Sequence, residues 1–178
     1  DVGDTQLLFA NLGYLANQAP TGTPTALKTH VDLDLQNTVD QIVSDPENDG
    51  LMVRVTGATH GTATIGGDGR TLMFMPKTGF VGTSTATLVA DDGFSVSAPV
   101  TVSFDISAAP LINLDFDARQ LRMAGGQRQT LHVIGDFADE QGVLLPGSYV
   151  TFESSNTASL AVRSDGRVTA IADGGGIL

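Results

Sequence analysis

Residues 61–76 read GTATIGGDGRTLMFMP, and this stretch decides the fold. Two short runs rich in threonine and large apolar side chains flank the glycine-rich residues 66–69. Glycine and aspartate supply the positive backbone φ that a tight hairpin needs, and alternation of side chains suits a strand with one buried face. The stretch therefore predicts strand, turn and strand, with Gly67, Asp68 and Gly69 at the bend.

The same period of two continues along the chain. HVDLDLQ at 30–36 and LMVRVTG at 51–57 alternate apolar with polar side chains, and residues 83–106 predict two more strands around Asp92 and Gly93. After SAAP at 107–110 the pattern restarts in LINLDFD, QRQTLHVIGDF, YVTFES and LAVRSDGRVTAIA. Since no segment keeps a helical period, these runs predict an all-β protein.

Composition limits the possible functions. The 178 residues allow one large domain or two small ones. Twenty acidic and nine basic residues give a net charge of −11, which disfavours nucleic acid and anionic membranes as partners. The chain has no cysteine, which excludes disulfides, thiolate metal sites and cysteine nucleophiles, and it has no apolar run long enough for a membrane helix.

The first twenty residues are ambiguous. TQLLFANLGYL at 5–15 is apolar and fits either a strand or two helical turns, and NQAPTGTPTA at 17–26 reads as a linker or the start of a strand. The N-terminus lacks the basic region of a signal peptide, so the chain is expected to be a processed product or a piece of a longer protein. The predicted domains are an N-terminal strand or linker at 1–20 and two β-domains at 21–108 and 109–178.

Residues 21–106 resemble a bacterial cadherin-like repeat of immunoglobulin fold, of the kind strung along large secreted adhesins. The motifs that carry this resemblance are NQAPTG, VSDPENDGLMVRV, HGTATIGGDGRTLMFMPKTGFVGTSTATLVADDGFS and VTVSF. Residues 111–178 resemble a group 2 bacterial immunoglobulin-like domain, also called invasin- or intimin-like, through LRMAGGQRQTLHVIGDFADEQG and VTFESSNTASLAVRSDGRVTAIADG. Group 2 domains normally end with one more apolar strand, of which only Ile177 and Leu178 would be present.

These two resemblances imply two tandem immunoglobulin-like β-sandwiches in a secreted or cell-surface protein, without enzymatic activity. Neighbouring repeats or identical subunits are the partners that they imply, and a host or cell-surface receptor or glycan is a further candidate.

The acidic loop at Asp45, Glu47 and Asp49 raises the possibility of calcium, which binds six to eight oxygen ligands. A helical calcium loop is excluded, because its twelfth position requires a bidentate glutamate and Thr56 occupies it. A cation between loops remains open, with Asp92 or its neighbour Asp91 joining the first three acids, and related repeats often bind calcium near their junctions. The alternative is that these residues only form turns, since aspartate, proline, asparagine and glycine are ordinary turn formers.

No pattern for catalysis is present. His30, His60 and His132 lie in separate segments without metal-binding spacing, and no GxSxG motif or phosphate-binding loop occurs. The paired aspartates at 32 and 34 and at 115 and 117 suit the solvated side of a strand. The chain is predicted not to be an enzyme.

The predicted function is a non-catalytic stiff spacer or adhesive module of a bacterial extracellular protein. One alternative is a self-assembling subunit of a surface filament, surface layer or virus particle, in which TQLLFANLGYL adds as a strand to a neighbour's sheet. Another alternative is an accessory domain of a secreted polysaccharide-active enzyme.

Overall fold

The computed structural model describes residues 16–118, 121–172, 174, 176 and 177. The chain divides into two compact units, Asp1–Ser107 (unit 1) and Ala108–Leu178 (unit 2). Strands joined by turns account for the regular structure of the described residues, together with two short 3-10 helices. The all-β prediction is therefore confirmed. Residues 1–15, which include TQLLFANLGYL, lie outside the described residues.

Over its described residues, 16–107, unit 1 has nine strands and one 3-10 turn. They are β1 Thr21–Gly22, β2 Thr25–His30, β3 Leu35–Thr38, the 3-10 turn Val39–Gln41, β4 Val43–Ser44, β5 Met52–Ala58, β6 Gly61–Ile65, β7 Thr71–Pro76, β8 Gly82–Asp91 and β9 Val100–Ser107. One sheet has the order β2-β9-β8-β5, a second has the order β3-β7-β6, and β1 pairs with β4. Strand β2 runs parallel to β9, whereas the other pairs are antiparallel.

The two larger sheets of unit 1 face each other across a common apolar core. Phe74 of β7 and Phe104 of β9 are both fully buried, and their rings stack with centroids 3.9 Å apart and planes 4° from parallel. Strands β8 and β9 bury alternate residues along most of their length, as the period of two requires for a sheet with one solvated face. Unit 1 is thus a β-sandwich built from the predicted alternation.

The predicted hairpin at 61–76 is present, since β6 pairs with β7 from Gly61 opposite Pro76 to Ile65 opposite Leu72. Of the three residues predicted at the bend, only Gly69 has a positive φ, at +70°. Asp68 instead accepts hydrogen bonds through Oδ1 from the N–H groups of Arg70 and Thr71, both 3.0 Å long. Its carboxylate therefore closes the turn, while Gly69 supplies the unusual backbone conformation.

The prediction of one continuous strand over HVDLDLQ is wrong. The chain turns after His30, where Asp32 takes a positive φ of 60°, and it resumes as β3 in the opposite sheet. The Asp32 carboxylate accepts a 2.8 Å hydrogen bond from the N–H of Gly79, which stabilises the turn from outside the segment. Leu33, which follows the turn, is buried. The predicted apolar position is therefore correct, although the continuous strand is not.

In its described part, unit 2 has six strands, which form two three-stranded sheets, and one 3-10 turn. They are β10 Leu111–Phe116, β11 Arg128–Thr130, β12 Val133–Phe137, β13 Glu140–Leu145, the 3-10 turn Gly147–Tyr149, β14 Leu160–Val162 and β15 Arg167–Ala170. The sheet orders are β10-β12-β13 and β11-β15-β14. The hairpin predicted around Asp165 and Gly166 is present as β14 and β15, with Gly166 at a φ of +79°.

Three details of unit 2 differ from the sequence interpretation. QRQTLHVIGDF forms two strands instead of one, because β11 pairs with β15 in one sheet and β12 pairs with β10 and β13 in the other. YVTFES forms no strand, and the unpredicted β13 takes the place beside β12.

Ile177, near the end of the chain, is bonded to Ser155. The N–H of Ser155 donates to the carbonyl of Ile177, and the N–H of Ile177 donates to the Ser155 hydroxyl.

Candidate functional site

The predicted acidic residues lie in two loops at the same end of unit 1. Residues 45–51 connect β4 to β5, and residues 92–99 connect β8 to β9. Since Met52 at the start of β5 lies opposite Asp91 at the end of β8, both loops open at one end of the sandwich. Residues 16–20 precede β1 at this end, where Thr21 lies opposite Ser44.

The first loop folds around the side chain of Asp45. Its Oδ1 atom accepts hydrogen bonds from the N–H groups of Glu47, at 2.9 Å, and of Asp49, at 3.0 Å. Asp45 is only 8% exposed, whereas Asp49 lies in solvent. Aspartate commonly closes turns by accepting N–H groups a few residues ahead, and this is the role that Oδ1 of Asp45 has here.

The second loop folds around Asp92 in the same way. Its Oδ1 accepts 2.7 Å bonds from the N–H groups of Phe94 and Ser95, and its Oδ2 accepts a 3.0 Å bond from the Ser95 hydroxyl. Burial opposes ionisation of this carboxyl, but the hydrogen bonds from Ser95, Phe94 and Asn17 outweigh it and lower the pKa of Asp92 to about 2. Asp92 is therefore a carboxylate at neutral pH.

Two amide side chains join the incoming chain to these loops. The Nδ2 group of Asn17 donates to Asp92 Oδ2 at 3.1 Å and to the Ser95 hydroxyl at 3.2 Å. The Glu47 carboxylate accepts two bonds from Gln18, at 3.2 Å from the backbone N–H and at 3.0 Å from Nε2. We call Asn17, Gln18, Glu47, Asp92 and Ser95 the amide–acid clamp. It holds adjacent residues of the incoming segment against two different loops.

A calcium site shared by Asp45, Glu47, Asp49 and Asp92 stays a prediction. Within the described ranges, no three histidine, aspartate or glutamate side chains are grouped so that they could hold one metal ion. One observation favours a bound cation: Oδ2 of Asp45 is buried without a hydrogen-bond partner among the residues that the structure describes. A carboxylate oxygen in that state is costly unless a donor or a cation satisfies it.

The three histidines have separate surroundings. His30 is fully buried in unit 1, and the ring of His60 stacks on Phe80 with centroids 4.2 Å apart. His60 takes a positive φ of 45° in the turn before β6. In unit 2, His132 Nδ1 lies 2.8 Å from Asp117 Oδ2, and bonds from the side chain and backbone of His132 lower the pKa of Asp117.

Sequence reasoning missed the part that Asn17, Gln18 and Ser95 play. Asn17 contacts a loop 75 residues away, and Gln18 contacts one 29 residues away. The sequence carries the residue types but no spacing that could pair them. The sequence did contain one usable signal. Two acidic turns and the start of a strand are expected to lie at the same end of a sandwich, where polar side chains from all three could meet.

Two sheets packed on a stacked pair of phenyl rings, with hydrogen-bonded loops at one end, define unit 1 as an immunoglobulin-like β-sandwich. A family model described as bacterial Ig domain matches residues 17–105. This match covers half of the chain, and the chain belongs to the bacterial Ig domain family. The match begins at Asn17, so it includes the whole of the amide–acid clamp.

Solved structures with a similar chain trace include proteins of several kinds. An endo-fucoidan hydrolase from glycoside hydrolase family 107 has 14% identity and a TM-score of 0.43, with 86% of this chain and 24% of that chain covered. The Yersinia pseudotuberculosis adhesin InvE has 18% identity and a TM-score of 0.27, with 85% and 51% covered. A chimeric titin Z1Z2 has 17% identity and a TM-score of 0.35, with 89% and 84% covered.

The chain thus spans about a quarter of the length of the fucoidan hydrolase. No match was found among curated protein sequences. In the described part of the chain, no helix has the length and apolar character needed to cross a membrane.

Proposed function

We propose that this chain is a non-catalytic spacer module of a bacterial extracellular or cell-surface protein, in which the amide–acid clamp sets the direction of the segment that enters unit 1. Membership of the bacterial Ig domain family supports a structural or adhesive role. Neighbouring immunoglobulin-like repeats are the partners that this role requires. An antibody against unit 1 should label intact bacteria that produce the protein.

The observation that carries the proposal is the pair of contacts from Asn17 and Gln18. A spacer transmits direction only if its junctions resist bending, and a single tether would leave the incoming chain free to pivot. Two adjacent residues bonded to two separate loops restrict that rotation. Hydrogen bonds to a charged partner are stronger than those between neutral groups, so the clamp can oppose the entropy of a loose linker.

The clamp can be tested by measuring how narrowly it fixes residue 16. Because the chain has no cysteine, Ala16→Cys and Thr101→Cys place two spin labels at unique exposed positions of unit 1. Pulsed dipolar spectroscopy should give a narrow distance distribution, which Asn17→Ala combined with Gln18→Ala broadens. Gln36→Ala, an exposed amide on β3, is the matched control and should leave the width unchanged.

A distribution that is equally narrow without the two amides would show that the clamp does not set the direction of the incoming segment. A broad distribution in the unmodified protein would have the same meaning.

A second candidate is calcium binding at this end of unit 1, and the unpartnered Oδ2 of Asp45 favours it. Asp45 would hold the ion together with backbone or side-chain oxygens of the loops, and bound calcium would stabilise unit 1 by mass action. Asp45→Asn keeps the Oδ1 acceptor that closes the turn but replaces the charged Oδ2. Calcium should raise the unfolding midpoint of the unmodified protein and leave that of Asp45→Asn unchanged. No shift at millimolar calcium would exclude the site.

A further inference from the structure

Two arginine side chains share the outer face of the sheet β11-β15-β14 in unit 2. The central strand β15 buries Val168 and Ala170, so Arg167 and Thr169, which alternate with them, point outward. On the neighbouring strand β11, Arg128 pairs directly with Thr169. Because directly paired residues of a sheet point to the same side, Arg128 lies on the same outer face as Arg167.

A third arginine, Arg163, follows β14 and lies directly opposite Arg167. The ladder of β14 and β15 continues through a 3.0 Å hydrogen bond from the Arg163 N–H to the Arg167 carbonyl. Asp165 stabilises the turn between them, since its Oδ1 accepts a 3.0 Å bond from the Arg167 N–H. Arg163 therefore occupies a position paired with Arg167 and points to the outer face with it.

This outer face carries positive charge without a neutralising partner. We call it the arginine face, and its outward positions are Arg128, Thr130, Ala161, Arg163, Arg167 and Thr169. None of the three guanidinium groups makes an ion pair with a described carboxylate. Like charges at directly paired positions destabilise a sheet, so Arg163 opposite Arg167 lowers the stability of unit 2, and a bound anion would relieve this repulsion.

The side chains of the arginine face indicate the chemistry of the anion. A guanidinium group is planar and donates two parallel hydrogen bonds to an anionic group. A sulfate ester presents several acceptor oxygens, so one such group can bond to Arg163 and Arg167 together. The hydroxyls of Thr130 and Thr169 form no hydrogen bond with a described residue, so they are open to the hydroxyl groups of a sugar.

The charge of the whole chain limits how densely charged the partner can be. The net charge of −11 repels a polyanion such as nucleic acid, in which the phosphates follow one another closely. Sulfate groups that are separated by sugar rings experience less of this repulsion and can still contact individual arginines. The arginine face therefore fits a sulfated sugar chain better than it fits nucleic acid.

We propose that the arginine face binds a sulfated polysaccharide, whose sulfate groups contact Arg128, Arg163 and Arg167. The choice of a glycan outside the cell rests on the proposed function at the cell surface, whereas the arginine face does not depend on the clamp. Labelling of intact bacteria tests the location, and a binding measurement on the purified chain tests the face, so each can fail alone. An acidic polypeptide, which includes the acidic surface of a second copy, is the competing occupant.

Dextran sulfate is the probe, and unmodified dextran is its uncharged control. Calorimetric titration of the full chain should detect binding of dextran sulfate only, and added salt should weaken it because the contacts are ionic. Arg128→Gln combined with Arg163→Gln removes two exposed guanidinium groups and should weaken binding about tenfold or more. Arg54→Gln combined with Arg70→Gln changes the net charge equally but in unit 1, and should leave the affinity within about twofold.

Four results would overturn the proposal. The unmodified chain could fail to bind dextran sulfate, or both double variants could lose affinity equally, which would assign the binding to net charge. Polyglutamate could bind as tightly as dextran sulfate, or light scattering could show self-association that requires Arg128 and Arg163. Either of these last two results would assign the face to an acidic polypeptide. Because all four substituted positions are exposed, retained far-UV circular dichroism is expected and serves as the folding check.

Discussion

Removing the Phe104 ring provides the most direct test of how unit 1 is held together. Phe104→Ala deletes a fully buried ring that stacks on Phe74 of the opposite sheet. Burial and cavity effects of this kind cost about 3–5 kcal/mol, to which the lost stacking contributes about 0.5–1.5 kcal/mol. For a domain of this size, 1 kcal/mol corresponds to about 4–8 °C, so the transition of unit 1 should fall by roughly 12–40 °C.

The measurement must separate the two units, because the chain is expected to unfold in more than one step. Denaturant titration followed by hydrogen exchange and mass spectrometry assigns each transition to its own peptides. Peptides of β7, β8 and β9 should lose protection at lower denaturant in Phe104→Ala, while those of β14 and β15 should not change. Met75→Ala, on the solvent side of β7, is the control and should stay within about 0.5 kcal/mol. Equal shifts for Phe104→Ala and Met75→Ala would refute a core organised around the stacked rings.

The remaining predictions concern backbone contacts and carboxylates. A Cβ atom at Gly61 would lie 2.6 Å from a β7 carbonyl oxygen, so Gly61→Ala should cost about 1–3 kcal/mol in denaturant titration, whereas Gly57→Ala has open space and should be nearly neutral. The pKa of Asp92 is lowered from 3.8 to about 2, so its contribution to stability should be present above pH 4 and be lost as the pH falls towards 2. Asp92→Asn should make the unfolding midpoint of unit 1 depend less on pH over that range. An unchanged pH dependence would contradict a lowered pKa of Asp92. The pKa of Asp117 is also lowered, so unit 2 should lose stability as the pH falls below the ordinary aspartate range, and His132→Ala should reduce this loss.

The elements that the sequence could predict are those whose pattern is decided within each strand. Strands β5, β8 and β9 alternate buried with more exposed residues over much of their length, and their period of two is legible without knowledge of their neighbours. The hairpin of β6 and β7 is equally local, because Asp68 and Gly69 close its turn themselves. Such elements follow from composition and spacing alone.

What could not be predicted depends on partners distant in sequence. HVDLDLQ does alternate apolar and polar side chains, but the hydrogen bond from the Gly79 N–H to the Asp32 carboxylate stabilises a turn within it. After this turn the chain continues in the other sheet. The clamp has the same character, because its amides and acids meet only after two loops have folded to one end of unit 1. Acidic turns could be recognised from the sequence, whereas their hydrogen-bond partners are defined only by the fold.

The parallel pairing of β2 with β9 has a mechanical consequence for a protein held at both ends. Tension applied before Thr25 and beyond Ser107 pulls these neighbouring strands lengthwise in opposite directions. The hydrogen bonds along their six paired positions then bear the load together in shear, because the strands must slide past each other before any of these bonds can break. In an antiparallel pair pulled apart at its adjacent ends, the hydrogen bonds would instead break one after another. Unit 1 should therefore resist stretching along its length far better than peeling from one edge.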